Sequence, residues 1–214
     1  MANKKIQKND AQQKKIEGQK LSKNKTIILA VIAVVVVFGI TFGIIFATQA
    51  NTTPVKVQFE MADGGKMVFQ LEPKYAPKTV ANFVKLVNEG FYDGLKFHRI
   101  IKGFMAQGGD GAGVKPEPQN IFGEFAKNGF PQNTLSHTRG VISMARTDPN
   151  TANSQFFIVT GEPTYLDGDY AAFGKLITGD DTLQKIEDTP TDPNSPDKAV
   201  PIKDVVIKRI TVVE

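Results

Sequence analysis

The chain has no cysteine, no tryptophan and only two histidines among 214 residues. Without thiols there is no disulfide framework, no thiolate nucleophile and no zinc site of the usual thiolate type, and oxidising and reducing compartments both stay open. His137 could in principle serve a Ser-His-Asp triad, but no G-x-S-x-G occurs and no strand-turn-helix pattern frames any serine. His98 and His137 are read as hydrogen-bonded structural residues. "LDGDY" and "DPNTAN" gather carboxylates and amides without the spacing of a calcium loop. Gly108 and Gly109 follow a strand-like run, but no helix-forming run comes next, which argues against a phosphate cradle. No metal and no cofactor is expected.

Acidic residues are scarce at one end. Residues 1–25 hold eight lysines against Asp10 and Glu17, a local charge of +6, so the net +4 of the chain leaves −2 for the remainder. The tail has too few apolar residues to build a core, and the acidic remainder offers no basic surface, so no nucleic-acid partner is expected.

Charge is absent altogether from Ile27 to Ala47, "IILAVIAVVVVFGITFGIIFA". At about 1.5 Å per residue such a run spans roughly the 30 Å of a bilayer's hydrocarbon core. A buried core helix and a cleaved signal peptide are the competing readings. The length of the run and of the segment before it favour an uncleaved signal anchor over residues 26–47. Lysines before the span place the tail, 1–25, in the cytoplasm and send the rest across the cell membrane. No cysteine comes after it, so a lipoprotein anchor is excluded. Gly39 and Gly43 form a G-x-x-x-G that lets two helices approach closely, though glycine is common in spans and transmembrane dimerisation is the lesser reading.

Residues 48–54 form a polar linker that reaches some 20–25 Å at most, which keeps the C-terminal part of the chain near the membrane. Residues 55–214 suffice for one domain. "VKVQFEM" and "MVFQL" alternate around Asp63, Gly64 and Gly65 and predict a hairpin. "APKTVANFVKLVNEG" sets Val80, Phe83, Val84 and Val87 on one helical stripe between Pro77 and Gly90. "KFHRII", "FMAQ", "GVISMA", "QFFIVT", "AAFGKLI" and "DVVIKRITVV" read as strands, with a short helix over Asp180–Ile186. The long Gly-, Pro- and Asn-rich connections 111–131 and 188–201 are read as shaping a surface. Eight strands and two helices suggest a mainly β, closed or nearly closed antiparallel barrel.

Within "KFHRIIKGFMAQGGD", alternation puts Phe97, Arg99 and Ile101 on one face, a cation among large apolar groups. This block, with "GVISMARTDPNTANSQFFIVT" and "YLDGDYAAFGKL", resembles the three signature blocks of the cyclophilins, the peptidyl-prolyl cis-trans isomerases, and the likeness extends over Val55 to Val213. It implies an eight-stranded antiparallel barrel capped by two helices, in agreement with the count made from the pattern. It also implies a catalytic set of Arg99, Gln107 and Phe104, with Arg99 as the cation. Phe104, Met105, Phe157 and Leu166 would form the pocket for the proline ring, and Gln107 and Gln155 the polar contacts to the peptide. Ala145 and Arg146 fall where the family meets the backbone preceding proline. Asparagine is frequent at the second of these places, so only main-chain contacts carry over to Arg146.

Tyr165 stands where the best-known eukaryotic members carry tryptophan, which bears against high-affinity cyclosporin binding. Tyr170 stands where they carry histidine, at the pocket's rim. From pattern alone the apolar residues would be core and Arg99 a surface cation. The resulting expectation is a membrane-anchored isomerase, bacterial in arrangement, that acts on proline-containing polypeptides outside the cytoplasm and assists the folding of exported proteins. Two rivals are a proline-peptide binding module or holdase with incidental turnover, and a structural interaction protein that uses the long loops.

Overall fold

A computed structural model of the chain describes residues 52–214. The lysine-rich tail, the expected span and the linker as far as residue 51 lie outside the described residues. Among those described, no helix is long and apolar enough to cross a membrane.

The first strand, β1 (Val55–Met61), buries Val57, Phe59 and Met61, and β2 (Lys66–Leu71) buries Met67, Phe69 and Leu71. Their alternation sets the register, Val57 opposite Phe69 and Phe59 opposite Met67, so a slip of one residue would turn every apolar side chain to solvent. Gly64 carries the turn at φ 89°, where a side chain would be strained. Helix α1 (Pro77–Asn88) comes next, with Thr79, Val80, Phe83, Leu86 and Val87 buried. The expected stripe is thus displaced: Leu86 joins it from one flank and Val84 is only partly covered.

Six more strands complete the sheet: β3 (Lys96–Ile101), β4 (Met105–Gly108), β5 (Val141–Met144), β6 (Phe156–Val159), β7 (Ala172–Thr178) and β8 (Val205–Val213). They pair antiparallel in the order β1-β2-β7-β5-β6-β4-β3-β8 and close into a barrel. Helix α2 (Asp180–Glu187) succeeds β7 with Asp180 and Asp181 in its first turn, where carboxylates suit the positive end of the helix dipole. Among the described residues, eight strands, antiparallel closure and two α-helices stand as the sequence pattern suggested.

Inside the barrel Phe156 is the hub of an aromatic core. Its ring meets Phe59, Phe83, Tyr92 and Phe97 edge to face at centroid distances of 5.6, 5.7, 5.6 and 5.9 Å. Such pairs add about 0.5–1.5 kcal/mol each beyond the area they bury. A second apolar cluster, built on Met105, Val141, Phe157, Val159 and Ala172, forms on the opposite face of β4 to β7. Neighbours in sequence therefore serve different cores, as Phe156 and Phe157 show.

The expected face of β3 is corrected by a bulge between Phe97 and Arg99. Phe97 turns into the barrel and is 1% exposed, paired opposite Gly108, whereas Arg99 pairs opposite Gln107 and Ile101 opposite Met105 on the outer face. The extra residue, His98, lets Phe97 and Ile100 both enter the core without carrying the arginine with them.

Candidate active site

Register alone assembles the centre of the site. Arg99 on β3 pairs opposite Gln107 on β4, Gln107 opposite Phe157 on β6, Phe157 opposite Ser143 on β5, and Ser143 opposite Ala172 on β7. One row of the outer face thus runs from a cation through an amide to an aromatic ring. Met105, two residues from Gln107, shares this face with Val159 beside Phe157. Gly109, where β4 ends, has φ 81°, and a Cβ there would stand 2.7 Å from Ser154 O; the two glycines of "QGGD" serve close packing.

Arg99, Phe104, Met105 and Gln107 line one side of a cavity of about 220 Å³, and Ala145, Arg146, Phe157, Leu166 and Tyr170 line the rest. Nine of the eleven residues singled out in the sequence therefore meet around one hollow. The other two lie at its border. Gln155 accepts a hydrogen bond from Gln107 Nε2 at 2.9 Å and faces an adjoining polar cavity of about 390 Å³. Tyr165 is 71% exposed and stacks on Phe104 at 6.2 Å, so it stands on the rim rather than within.

Three groups hold the floor. Phe157 has the ring of His137 stacked on it at 5.9 Å and that of Tyr170 set edge-on at 5.7 Å. The Arg146 guanidinium lies between the rings of Phe125 and Tyr170, 4.9 and 4.6 Å from their centroids, and donates to Asp169 O from Nε and Nη2 at 3.0 and 2.8 Å. Its guanidinium packs on the Tyr170 ring, and both residues line the hollow. The Ala145 amide is committed to Gln155 O at 2.9 Å.

Beneath the floor the structure joins Ser143, His137 and Asp167 in a chain: Ser143 Oγ lies 3.0 Å from His137 Nε2, and Asp167 Oδ1 lies 2.8 Å from His137 Nδ1. The spacing is that of a nucleophilic triad, but both Ser143 and His137 are fully buried, so no substrate carbonyl reaches the hydroxyl. His137 is thus the hydrogen-bonded structural residue expected. Burial lowers its pKa more than the neighbouring Asp167 carboxylate raises it. Burial pushes Asp167 up, but the Ser136 hydroxyl and the amide and ring of His137 outweigh that and hold it below its ordinary value. His98 departs from expectation: its Nδ1 is buried without a hydrogen-bond partner among the described residues, and burial is the main reason its pKa is lowered.

Arg99 is one-third exposed, with Nη1 3.9 Å from Met105 Sδ, and its Nη2 donates at 3.0 Å to Asp197, which the 188–201 connection brings to the guanidinium from a neighbouring cavity lined by Ile100, Ile101 and Lys102. Sequence reasoning missed Asp197, Phe125 and the Ser143 chain, since no local pattern links residues this far apart. Among the described residues no three His, Asp or Glu side chains gather as metal ligands.

Comparison with known proteins shows the family. The family model described as "Cyclophilin type peptidyl-prolyl cis-trans isomerase/CLD" matches residues 56–212. A Cryptococcus neoformans protein named peptidyl-prolyl cis-trans isomerase-like 2 is 41% identical over 152 residues, covering 70% of this chain but 26% of its own length. The chain thus spans about a quarter of that relative. A Staphylococcus saprophyticus relative named putative peptidyl-prolyl cis-trans isomerase is 35% identical over 195 residues, covering 78% of this chain and 96% of the relative. The crystal structure of a Cryptosporidium parvum cyclophilin type peptidyl-prolyl cis-trans isomerase, determined in the presence of the dipeptide Ala-Pro, superposes with a TM-score of 0.65 at 35% identity, covering 74% of this chain and 99% of that one.

Proposed function

The chain belongs to the cyclophilin-type peptidyl-prolyl cis-trans isomerases, and on that footing we propose that it accelerates rotation about Xaa-Pro bonds in polypeptides. One observation carries the reading: the row that places Arg99 beside Gln107 and Phe157 on the face of a 220 Å³ hollow.

Rotation of a peptide bond meets a barrier of about 18–20 kcal/mol because amide resonance is lost on the way. No covalent bond breaks. As the amide twists, the prolyl nitrogen becomes pyramidal and gains a lone pair, and a guanidinium aimed at it stabilises the twisted form more than either planar one. Phe104, Met105, Phe157 and Leu166, all in the lining of the hollow, supply apolar contact for the ring. Gln107, braced by Gln155, presents its amide to the peptide. Lysine in place of Arg99 would bring a point charge without the planar fork that can hold two partners at once.

The purified full chain should speed cis-trans exchange of a Xaa-Pro peptide, measured by a protease-coupled assay. Arg99→Ala should lower kcat/KM by roughly tenfold to a hundredfold, the rate equivalent of a charge-assisted hydrogen bond. Peptide binding should persist through the apolar floor. Full activity in Arg99→Ala would overturn the role given to the cation, and a wild-type chain that binds the peptide without speeding exchange would leave a proline-peptide binding module as the better reading.

The cellular role proposed is the folding of exported proteins from a membrane-anchored position. It is supported by the uncharged run 27–47 and by the lysines before it.

A further inference from the structure

The cation at the mouth of the pocket is steered from outside the barrel wall. Gln107, its cross-strand neighbour, has its amide nitrogen committed to Gln155 at 2.9 Å. Arg99 Nη2 instead donates to Asp197 Oδ2 at 3.0 Å. Asp197 and the residue after it, Lys198, are the two non-glycine residues at positive φ among those described, 57° and 52°. Aspartate enters that conformation more readily than lysine, but two such residues in succession are uncommon, and strain of this kind gathers at sites where a side chain must be aimed.

The surroundings impose that conformation here. Ile100, next to Arg99 on β3, donates its amide to Ala199 O at 2.8 Å, so the loop is stapled to the strand that carries the cation. Ala199 is fully buried. Thr191 Oγ1 donates to Lys198 O at 2.7 Å, Ser195 Oγ donates to Asp192 O at 2.7 Å, and the Val200 amide donates to Ser195 Oγ at 3.2 Å. An antiparallel bridge between Thr191 and Pro201 closes the base. A carboxylate 62% exposed is thus mounted on a fastened backbone.

We propose that Asp197 is a positioning residue for the isomerase reaction: the 188–201 loop presents its carboxylate in a left-handed turn, where one hydrogen bond restrains the Arg99 guanidinium at the wall of the pocket. The proposal rests on the isomerase reading above. An ion pair this open to water does little for stability. Its effect lies in the reaction, because a guanidinium on four rotatable bonds must already point at the prolyl nitrogen when the amide twists.

Two variants of the full chain test it. Asp197→Gly removes the carboxylate and suits the positive φ, so the fold is kept; Asp197→Asn keeps an oxygen acceptor and also tolerates that conformation. Asp197→Gly should lower kcat about five- to tenfold, short of the hundredfold that a 1 Å misplacement can cost, with KM little changed. Asp197→Asn should recover most of that loss. Nitrogen-15 NMR of the Arg99 side chain gives a readout that needs no turnover: hindered rotation of its Nη groups in the wild-type chain should become free in Asp197→Gly. A wild-type chain that shows the hindered guanidinium but no turnover would sink the isomerase reading and, with it, the catalytic part of this inference. An active wild type whose Asp197→Gly variant keeps or raises kcat, or keeps the hindered rotation, would overturn the positioning role alone.

Discussion

His137 is neutral by burial, and that ties stability to pH. An imidazole in the unfolded chain titrates near pH 6.5, whereas burial holds His137 lower in the folded protein against the pull of Asp167. Between those two values the unfolded chain binds a proton that the folded chain refuses, so stability is present above about pH 6.5 and is lost as pH falls through the folded value. His98, lowered chiefly by burial, acts in the same direction. Asp167, held below its ordinary value, adds its own loss only below about pH 4. The urea midpoint should therefore fall from about pH 7 to about pH 5, and less steeply in His137→Asn. Equal slopes in the two proteins would show that His137 does not carry the effect. At this scale the motif blocks identify the residues that line the pocket, because each block is contiguous. They are silent on Asp197, whose bond to Arg99 joins residues 98 apart.

Helix α1 shows what pattern reveals of an element and what it hides. The apolar stripe, Pro77 and Gly90 define it, and the described helix falls within those limits. Its first turn has no local side-chain cap; instead the buried Glu124 accepts the amides of Lys78 and Thr79 at 3.0 and 2.8 Å and the Thr79 hydroxyl at 2.8 Å. A carboxylate at a helix N-terminus satisfies amides that lack partners within the helix and answers the dipole. Glu124→Gln should cost about 1.5–3 kcal/mol, read as a drop in thermal midpoint of about 2–4 °C per kcal/mol for a domain of this size. A midpoint matching the wild type would mean that the cap is dispensable. The partner lies 45 residues beyond Thr79, so no window on the helix discloses it. The bulge in β3 is hidden for a different reason. Strict alternation gives Phe97 and Arg99 the same face, and only the competing demand of the core for Phe97 and Ile100 breaks it.

For the whole molecule, strand count and antiparallel class come from alternation and turn residues, but the order of strands around the barrel does not. β7 pairs with β2 and β5, and β8 with β1 and β3, contacts that span most of the domain. The anchored arrangement is testable on the same scale. The natural chain has no cysteine, so Lys203→Cys, on an exposed stretch before β8, introduces a single thiol. If residues 55–214 lie outside the cytoplasm, a membrane-impermeant maleimide will label that thiol in intact cells expressing the full chain. Labelling only after lysis would place the domain on the other side.

Barrel closure also bears on the company this protein keeps. Every strand has a neighbour on both sides, so the sheet ends nowhere and shows no row of unpaired amides and carbonyls. A sheet edge is a template on which an unfolded chain can add a strand, the first step toward aggregation. An isomerase that acts, as proposed above, on unfolded polypeptides would meet that hazard at every encounter. In this fold an incoming chain is left with the contacts of the hollow, which it can make and release without adding a strand to the barrel.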